Sequence, residues 1–220
     1  MSARAFDLVI FDWDGTLADS TGMIAQALQN ACRDMGCAVP DDEAARYVIG
    51  LGLSDALRHV APSLSPDEYP RLSGHYRNHY LARESEIPLF DGARSLLADL
   101  RTAGYRLAVA TGKSRVGLDR ALTFHGLDGV FDATRCADEG RPKPHPDMVL
   151  HLLDVLGVDA PRAVVVGDTT HDLEMAARAG VQGIAVTHGA HSEMPLRQLK
   201  PLVLAPSLWE IRKTLFRLER

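Results

Sequence analysis

The residues best suited to chemistry in this chain are two carboxylates that follow a short apolar run. Residues 8–11 are Leu, Val, Ile and Phe, and they lead into Asp12, Asp14, Gly15 and Thr16. Such a run is typical of a buried parallel strand, and the glycine ends it. Both carboxylates are therefore expected at one strand end, where they repel each other unless a cation or a proton intervenes. A solvated turn is the alternative that an Asp-Gly pair leaves open.

Further polar residues follow other apolar runs in the same way. Thr111 and Gly112 directly follow a second run, and Asp168 follows a later one, with Asp172 four residues on. Lys143 stands between two prolines in a loop, in a chain that has four lysines. Each residue alone has an ordinary explanation, such as a helix cap, a loop or a surface lysine. Parallel sheets bind ligands beyond the carboxyl ends of their strands, so together these residues indicate one functional site.

An acidic cluster with one lysine and one hydroxyl suits magnesium and phosphate chemistry. Carboxylate oxygens are ligands that Mg²⁺ prefers, and a lysine among them balances charge and can bind phosphate. Backbone N–H groups at Gly15-Thr16 and at Gly112-Lys113 are expected to cradle phosphoryl oxygens beside the Thr111 hydroxyl. One carboxylate would act as nucleophile and a second would move the proton. The sequence thus predicts phosphoryl transfer, which needs mainly positioning and charge neutralisation.

Strands and helices alternate along the chain, and this order predicts the sheet that positions these groups. Strands are predicted at residues 8–11, 106–110, 131–134, 163–166 and 183–186. Helices are predicted at residues 20–35, 44–48, 54–60, 66–83, 92–103, 114–125, 146–156, 172–179 and 206–220. The order indicates an α/β fold, with a Rossmann-like parallel sheet core and helices on both faces. Residues 20–87 hold helices only, which predicts an inserted all-α cap on a core of residues 1–19 and 88–220.

Composition and charge exclude several classes of partner. The chain has 220 residues, a net charge of −5 and 46% hydrophobic residues, so a nucleic-acid surface is not expected. No stretch approaches the roughly 18 apolar residues that a membrane span requires. Cys32, Cys37 and Cys136 are odd in number and lack CxxC spacing, so neither a disulfide framework nor a zinc site is predicted. We expect a cytoplasmic protein without a signal peptide, as a monomer or a weak homodimer.

These motifs resemble those of the haloacid dehalogenase superfamily, in its phosphatase branch with an α-helical cap. The matching positions occur in the family's order, namely Asp12 to Thr16, then Thr111, Lys143, Asp168 and Asp172. The resemblance covers nearly the whole chain and implies Mg²⁺-dependent hydrolysis of a phosphate monoester through an aspartyl-phosphate. Similarity to phosphoglycolate phosphatases makes phosphoglycolate or a sugar phosphate the leading substrate among small phosphorylated metabolites. A nucleotide monophosphate or a pyrophosphate is left open as an alternative substrate.

The resemblance also implies a role for each matching residue. Asp12 would be the nucleophile and Asp14 the general acid and base. Mg²⁺ would be held by a side-chain oxygen of Asp12, the backbone carbonyl of Asp14 and the side chain of Asp168. Asp172 would orient Lys143 or a metal-bound water. The transferring phosphoryl group would be bound by Thr111 and Lys143.

Other chemistries of the superfamily are weighed against hydrolysis. Dehalogenases of the family need neither a second aspartate nor a metal, so Asp14 argues against them. Phosphonoacetaldehyde hydrolases use a cap lysine, whereas the first lysine here is Lys113, beyond the predicted cap. A phosphomutase of the β-phosphoglucomutase type uses the same core, and a non-catalytic phosphate-binding protein is a further alternative. The intact set of acidic and basic positions argues against the non-catalytic alternative, and nothing in the predicted cap supports a mutase, so hydrolysis is favoured over both.

Overall fold

The computed structural model describes residues 5–217, which form a parallel sheet with helices and a helical insertion after the first strand. The strands are β1 (Leu8–Phe11), β2 (Arg106–Thr111), β3 (Ala133–Cys136), β4 (Ala163–Gly167), β5 (Gln182–Val186) and β6 (Val203–Ala205). The α-helices are α1 (Thr21–Met35), α2 (Asp42–Tyr47), α3 (Leu53–Val60), α4 (Tyr69–Leu81), α5 (Ala93–Thr102), α6 (Arg115–Phe124), α7 (Asp147–Leu156), α8 (Thr170–Arg178), α9 (Glu193–Gln198) and α10 (Leu208–Arg217). None of these helices has the length and apolar composition needed to cross a lipid bilayer.

Strand β1 lies inside the sheet because later strands are added on both of its sides. The strands are all parallel and stand in the order β3-β2-β1-β4-β5-β6. The chain therefore builds β2 and β3 on one side of β1 and then crosses back to place β4 on the other side. Asp12 leaves β1 at this switch point, and its N–H donates to Val166 O of β4 at 2.9 Å. Ligands of α/β sheets bind at such a point, and the predicted fold class is confirmed.

Helices cover both faces of the sheet, so residues of β1 alternate between two cores. Val9 and Phe11 belong to the core that contains residues of α5 and α10. Leu8 and Ile10 belong to the opposite core, which contains residues of α7 and α8. All four side chains are fully buried. Burial on both faces explains why this strand is an unbroken apolar run rather than an alternating one.

Helices α1 to α4 lie between β1 and β2 in sequence, and α1 packs along α4. The segments that enter and leave this insertion run side by side. Asp19 N–H donates to Pro88 O at 2.9 Å, and Phe90 N–H donates to Leu17 O at 2.9 Å. The predicted domain boundaries, near residues 19–20 and 87–88, fall in this paired region. Backbone hydrogen bonds there fix where the insertion joins the sheet.

The structure corrects the predicted elements at three places. Strand β3 is shifted by two residues from the predicted 131–134, and its Cys136 lies beside Thr111 of β2. The sequence predicts neither α9 nor β6, because six and three residues are too few to show a clear period. The predicted helix at 66–83 begins only with Tyr69 in α4. Strand β1 itself has the predicted bounds.

Candidate active site

Asp12, Lys143 and Asp172 form a buried chain of ion pairs at the carboxyl edge of the sheet. Lys143 Nζ lies 2.6 Å from Asp12 Oδ1 and 2.7 Å from Asp172 Oδ1. The three side chains are at most 1% exposed. Although burial disfavours an ammonium ion, the two carboxylates raise the pKa of Lys143, so it is charged at neutral pH. Lys143 therefore compensates two acids that are costly to bury unpaired.

A capping box at the start of α8 fixes the Asp172 side chain. Thr169 Oγ1 donates to Asp172 Oδ2 at 2.6 Å, and Asp172 N–H donates back to Thr169 Oγ1 at 3.3 Å. Burial works against ionisation of Asp172, but the Lys143 ammonium and the Thr169 donors outweigh it and lower the pKa of Asp172. One Asp172 oxygen thus satisfies the helix N-terminus while the other faces Lys143.

Asp168 follows β4 and accepts a hydrogen bond on each carboxylate oxygen. Thr16 Oγ1 donates to Oδ1 at 2.8 Å, and Ala190 N–H donates to Oδ2 at 2.7 Å. A Cβ atom at Gly15 would lie 2.2 Å from Asp168 Oδ2, so the carboxylate occupies the space that a side chain there would need. Burial, together with the charge of Asp172, raises the pKa of Asp168 to about 7.

Asp12, Asp168 and Asp172 bring their oxygens close enough to hold one cation. One oxygen from each residue lies within 4.8 Å of the other two. Asp12 Oδ2 is buried and accepts no hydrogen bond from residues 5–217. Burial raises the pKa of Asp12 well above its usual range, and although Lys143 opposes this rise, Asp172 and Asp168 add to it. An orphaned carboxylate oxygen in an acidic cluster fits a divalent cation that prefers oxygen ligands.

The Asp14 side chain lies outside this acidic cluster and contacts the helical insertion. Its Oδ1 accepts a hydrogen bond from Ser20 Oγ at 2.7 Å and lies 3.1 Å from Lys113 Nζ. Lys113 Nζ also donates to Tyr80 OH of α4 at 2.8 Å. Burial opposes the charge on Lys113, but Asp14 and Tyr80 outweigh it and raise the pKa of Lys113. Within residues 5–217, the carboxylate of Asp14 is thus paired with Lys113 and is not one of the clustered metal-ligand side chains.

The structure corrects the role predicted for the amides that follow the second aspartate. Gly15 N–H donates to Ala18 O at 2.9 Å, and Thr16 N–H donates to Trp13 O at 3.3 Å. These two amides hold a tight turn, so they are not free to cradle phosphoryl oxygens as predicted. The amides of Trp13 and Asp14 donate to no acceptor within residues 5–217. They are therefore the N–H groups of this turn that an incoming anion can use.

Thr111, Gly112 and Lys113 lie at the end of β2, as the sequence predicts for this strand. Thr111 is fully buried, and its hydroxyl accepts a hydrogen bond from Lys113 N–H at 3.2 Å. A Cβ atom at Gly112 would lie 2.6 Å from Leu51 O and 2.7 Å from Gly50 O. Only a glycine leaves room here for the loop between α2 and α3. The helical insertion thus contacts the core directly beside Thr111.

Two histidines make a further contact between the insertion and the core. His171 Nε2 lies 2.8 Å from Tyr47 O, and His191 Nε2 lies 3.0 Å from the same oxygen. The Tyr47 ring stacks on His191, with ring centroids 5.3 Å apart and planes at 6°. Neither histidine belongs to one of the sequence motifs described above. Their common partner is more than 120 positions away, so no local signal could reveal it.

We expect the protein to lose stability in mild acid because burial lowers the pKa of His171 and His191. The unfolded chain takes up protons near the ordinary value of about 6.5, whereas the folded chain resists them. The free energy of unfolding therefore falls as the pH drops below about 6.5.

We expect His191→Gln to reduce this loss by up to about 1 kcal/mol between about pH 7.5 and about pH 5.5. Urea unfolding at the two pH values measures the effect. His151→Gln, which changes an exposed histidine of α7, is the control. Equal losses of stability in both variants and the unchanged protein would contradict the expectation.

The fold and the site together define a class of enzyme. The sheet presents buried aspartates and a charged lysine at its switch point, and the helical insertion lies directly against that edge. Clustered carboxylates with one fixed ammonium group suit phosphoryl chemistry, which depends on positioning and on charge neutralisation. The arrangement is that of an α/β enzyme acting on phosphate esters.

Comparisons with known proteins agree with this class. The family model described as haloacid dehalogenase-like hydrolase matches residues 9–186. Probable phosphatase IndB of Dickeya dadantii is 39% identical over 211 residues, which cover 93% of this chain and 91% of that protein. Tyrosine-protein kinase PtkA of Mycobacterium tuberculosis is 38% identical over 184 residues, which cover 83% of this chain and 62% of that protein. The phosphoglycolate phosphatase of Aliivibrio fischeri is 31% identical over 212 residues, which cover 90% of this chain and 91% of that protein.

A solved structure shows the same fold. A hydrolase from Pseudomonas syringae superimposes with a TM-score of 0.87 at 23% identity, over 95% of this chain and 97% of that one. The chain belongs to the haloacid dehalogenase-like hydrolase family. The resemblance found in the sequence motifs is thereby confirmed.

Proposed function

We propose that the protein hydrolyses a small-molecule phosphate monoester with Mg²⁺ and through an aspartyl-phosphate on Asp12. The observation that carries this proposal is the asymmetry of the Asp12 carboxylate. Its Oδ1 is fixed by Lys143 at 2.6 Å, while its buried Oδ2 accepts no hydrogen bond from residues 5–217. A carboxylate held in this way keeps one oxygen ready for a cation and for phosphorus.

The residues present fit a magnesium ion. Asp12 Oδ2 and Asp168 would hold it, together with the backbone carbonyl of Asp14. Asp172 is engaged by Lys143 and the α8 capping box, so we assign it to positioning Lys143. When bound, Mg²⁺ would neutralise charge on the phosphoryl oxygens and on the clustered carboxylates. The raised pKa of Asp12 and of Asp168 supports the need for such a charge.

The first half-reaction forms the covalent intermediate. An Asp12 carboxylate oxygen attacks phosphorus while the P–O bond to the leaving group breaks. Asp14, in its protonated form, gives its proton to the leaving oxygen, so an alcohol departs. Lys143 and the Thr111 hydroxyl hold the phosphoryl oxygens, which orients the phosphorus for in-line attack.

The second half-reaction releases phosphate. A water molecule attacks the phosphorus of the aspartyl-phosphate, and Asp14, now a carboxylate, accepts a proton from that water. The bond between phosphorus and the Asp12 oxygen breaks, which yields inorganic phosphate and restores the Asp12 carboxylate. Asp14 ends the cycle protonated, as it began.

We propose that residues 20–87 act as a cap that closes over this edge of the core. A cavity of about 810 Å³ lies between the cap and the core. Residues of both line it, including Asp14, Tyr76, Tyr80 and Lys113. A cavity of this size accommodates a small metabolite together with its phosphate. The name of the Aliivibrio fischeri relative supports phosphoglycolate as the first substrate to test, followed by sugar phosphates.

Release of inorganic phosphate from p-nitrophenyl phosphate and from phosphoglycolate tests the proposal. We expect protein stripped with EDTA to be inactive, and added Mg²⁺ to restore turnover by at least about 100-fold. Equal release with and without metal would contradict the metal dependence. Absence of release from every ester would favour a phosphate-binding role, and phosphoryl transfer to a sugar hydroxyl instead of water would favour a mutase.

A further inference from the structure

We propose that Tyr80 is a positioning residue, which holds Lys113 against Asp14 and so orients the Asp14 carboxyl group that protonates the leaving oxygen. This inference rests on the proposed function, because it concerns the orientation of Asp14, the proton donor of that reaction. Tyr80 belongs to α4 in the helical insertion, whereas Asp14 and Lys113 belong to the sheet edge. No sequence motif marks Tyr80.

The two oxygens of Asp14 have different surroundings. Oδ1 receives a hydrogen bond from Ser20 Oγ at 2.7 Å and an ion pair from Lys113 Nζ at 3.1 Å. Oδ2 has no donor or cation within residues 5–217. The two contacts on Oδ1 fix the orientation of the carboxyl group, and they leave Oδ2 without a partner among these residues. Oδ2 is therefore the oxygen that is free to meet the leaving oxygen of the substrate.

Lys113 depends on Tyr80 for its position. Its Nζ donates to Tyr80 OH at 2.8 Å and lies 4.8 Å from the centroid of the Tyr80 ring. Only 9% of the Lys113 side chain is exposed, so the hydroxyl replaces a lost water contact and the ring adds a cation–π attraction. Burial raises the pKa of Tyr80 to about 12, so its hydroxyl stays neutral and can accept this hydrogen bond.

The arrangement connects the helical insertion to one chemical step. A lysine side chain has several rotatable bonds, and without Tyr80 OH its ammonium group can leave Oδ1 for solvent in the cavity. Asp14 would then lose one of the two contacts that set the direction of Oδ2. Proton donation matters most when the leaving oxygen is strongly basic, so the defect should depend on the leaving group.

The substitution Tyr80→Phe tests this inference, since it removes the hydroxyl and keeps the ring. We expect kcat/KM for phenyl phosphate to fall about tenfold, a fraction of the 10²–10⁴ that general acid catalysis supplies. For p-nitrophenyl phosphate, whose leaving oxygen is weakly basic, we expect a fall below about twofold. Tyr69→Phe is the control. Tyr69 belongs to the same helix, its hydroxyl donates to Ala61 O at 3.0 Å, and it is not among the residues that line the cavity.

The ratio of the two kcat/KM values decides the outcome. Equal falls for both esters, or no fall for either, would overturn the positioning role, and so would a similar change in Tyr69→Phe. Lys113→Met provides a second variant if Tyr80→Phe is poorly folded. It should likewise lower kcat/KM for phenyl phosphate relative to kcat/KM for p-nitrophenyl phosphate. An inactive wild-type protein would instead refute the proposed function, so the two failures are distinguishable.

Discussion

The substitution Asp12→Asn is expected to lower kcat by at least about 10⁴-fold with every phosphate ester, the largest effect of any single change in this chain. The amide nitrogen and oxygen of asparagine cannot form the acyl phosphate, although they fill the same space. Lys143, Asp168 and the Thr111 hydroxyl remain, so substrate still binds. The measurement is single-turnover phosphate release from p-nitrophenyl phosphate with Mg²⁺ present.

The same substitution is not expected to unfold the protein. The buried cluster contains three carboxylates and one ammonium group, and Asp12→Asn removes one of the carboxylates while Lys143 keeps its partner Asp172. Burial and the neighbouring acids already raise the pKa of Asp12, so its charged form destabilises the folded state when no metal is bound. We therefore expect the Tm of the metal-free variant to equal or exceed that of the unchanged protein.

A control and a trapping experiment complete this test. Asp154→Asn changes an exposed acid on α7 and should leave kcat unchanged. Wild-type protein quenched in acid during turnover should carry a phosphoryl group on the peptide that contains residue 12, and Asp12→Asn protein should not. Activity above about 1% of wild type in Asp12→Asn, with the variant correctly folded, would exclude Asp12 as nucleophile.

The sheet edge could be predicted from sequence because topology decides it. Each of the residues Asp12, Thr111 and Asp168 directly follows a buried apolar run, and parallel strands bring their carboxyl ends to one edge. Lys143 lies on a loop, but a lysine among prolines next to a helix is unusual enough to single out. For Asp12, Thr111 and Asp168, the position after a predicted strand is enough to predict that the residue lies at this edge of the sheet.

The contacts made by the insertion could not be predicted, because they depend on how α1 to α4 pack on the core. Tyr80 reads as one more apolar position of a helix, and nothing near it in sequence points to Lys113. The interpretation of the amides at Gly15 and Thr16 failed for a related reason. The turn after β1 uses those N–H groups itself, and only the backbone geometry shows which neighbouring amides stay free.

The substitution Lys143→Met is expected to cause the second-largest effect, a loss of both activity and stability. Methionine keeps an unbranched side chain of similar length but removes the charge that lies between Asp12 and Asp172. Breaking a buried ion pair by removing one partner costs about 3–5 kcal/mol. For a chain of this size, that corresponds to a fall in Tm of about 10 °C. We also expect kcat to fall by about 10³-fold, because the phosphoryl group loses a fixed positive charge.

The stability loss should be measured on metal-free protein, by thermal unfolding in EDTA at about pH 7.5. Lys213→Met is the control, since Lys213 is 59% exposed and pairs only with its neighbour Glu210 within residues 5–217. That change should stay within about 0.5 kcal/mol. An equal effect of the two lysine substitutions on stability would show that the buried ion pairs contribute nothing.

A double variant and the pH dependence identify the cause of the loss. In Lys143→Met, the acids Asp12 and Asp172 are buried without their cation, so the pKa of Asp172 rises and the pKa of Asp12, which is already raised, rises further. The folded state then binds more protons than the unfolded state, and its stability declines as the pH rises. The deficit should therefore be larger at about pH 8 than at about pH 5. Adding Asp12→Asn to Lys143→Met removes one uncompensated charge and should restore part of the lost Tm, because the two residues act on one another directly.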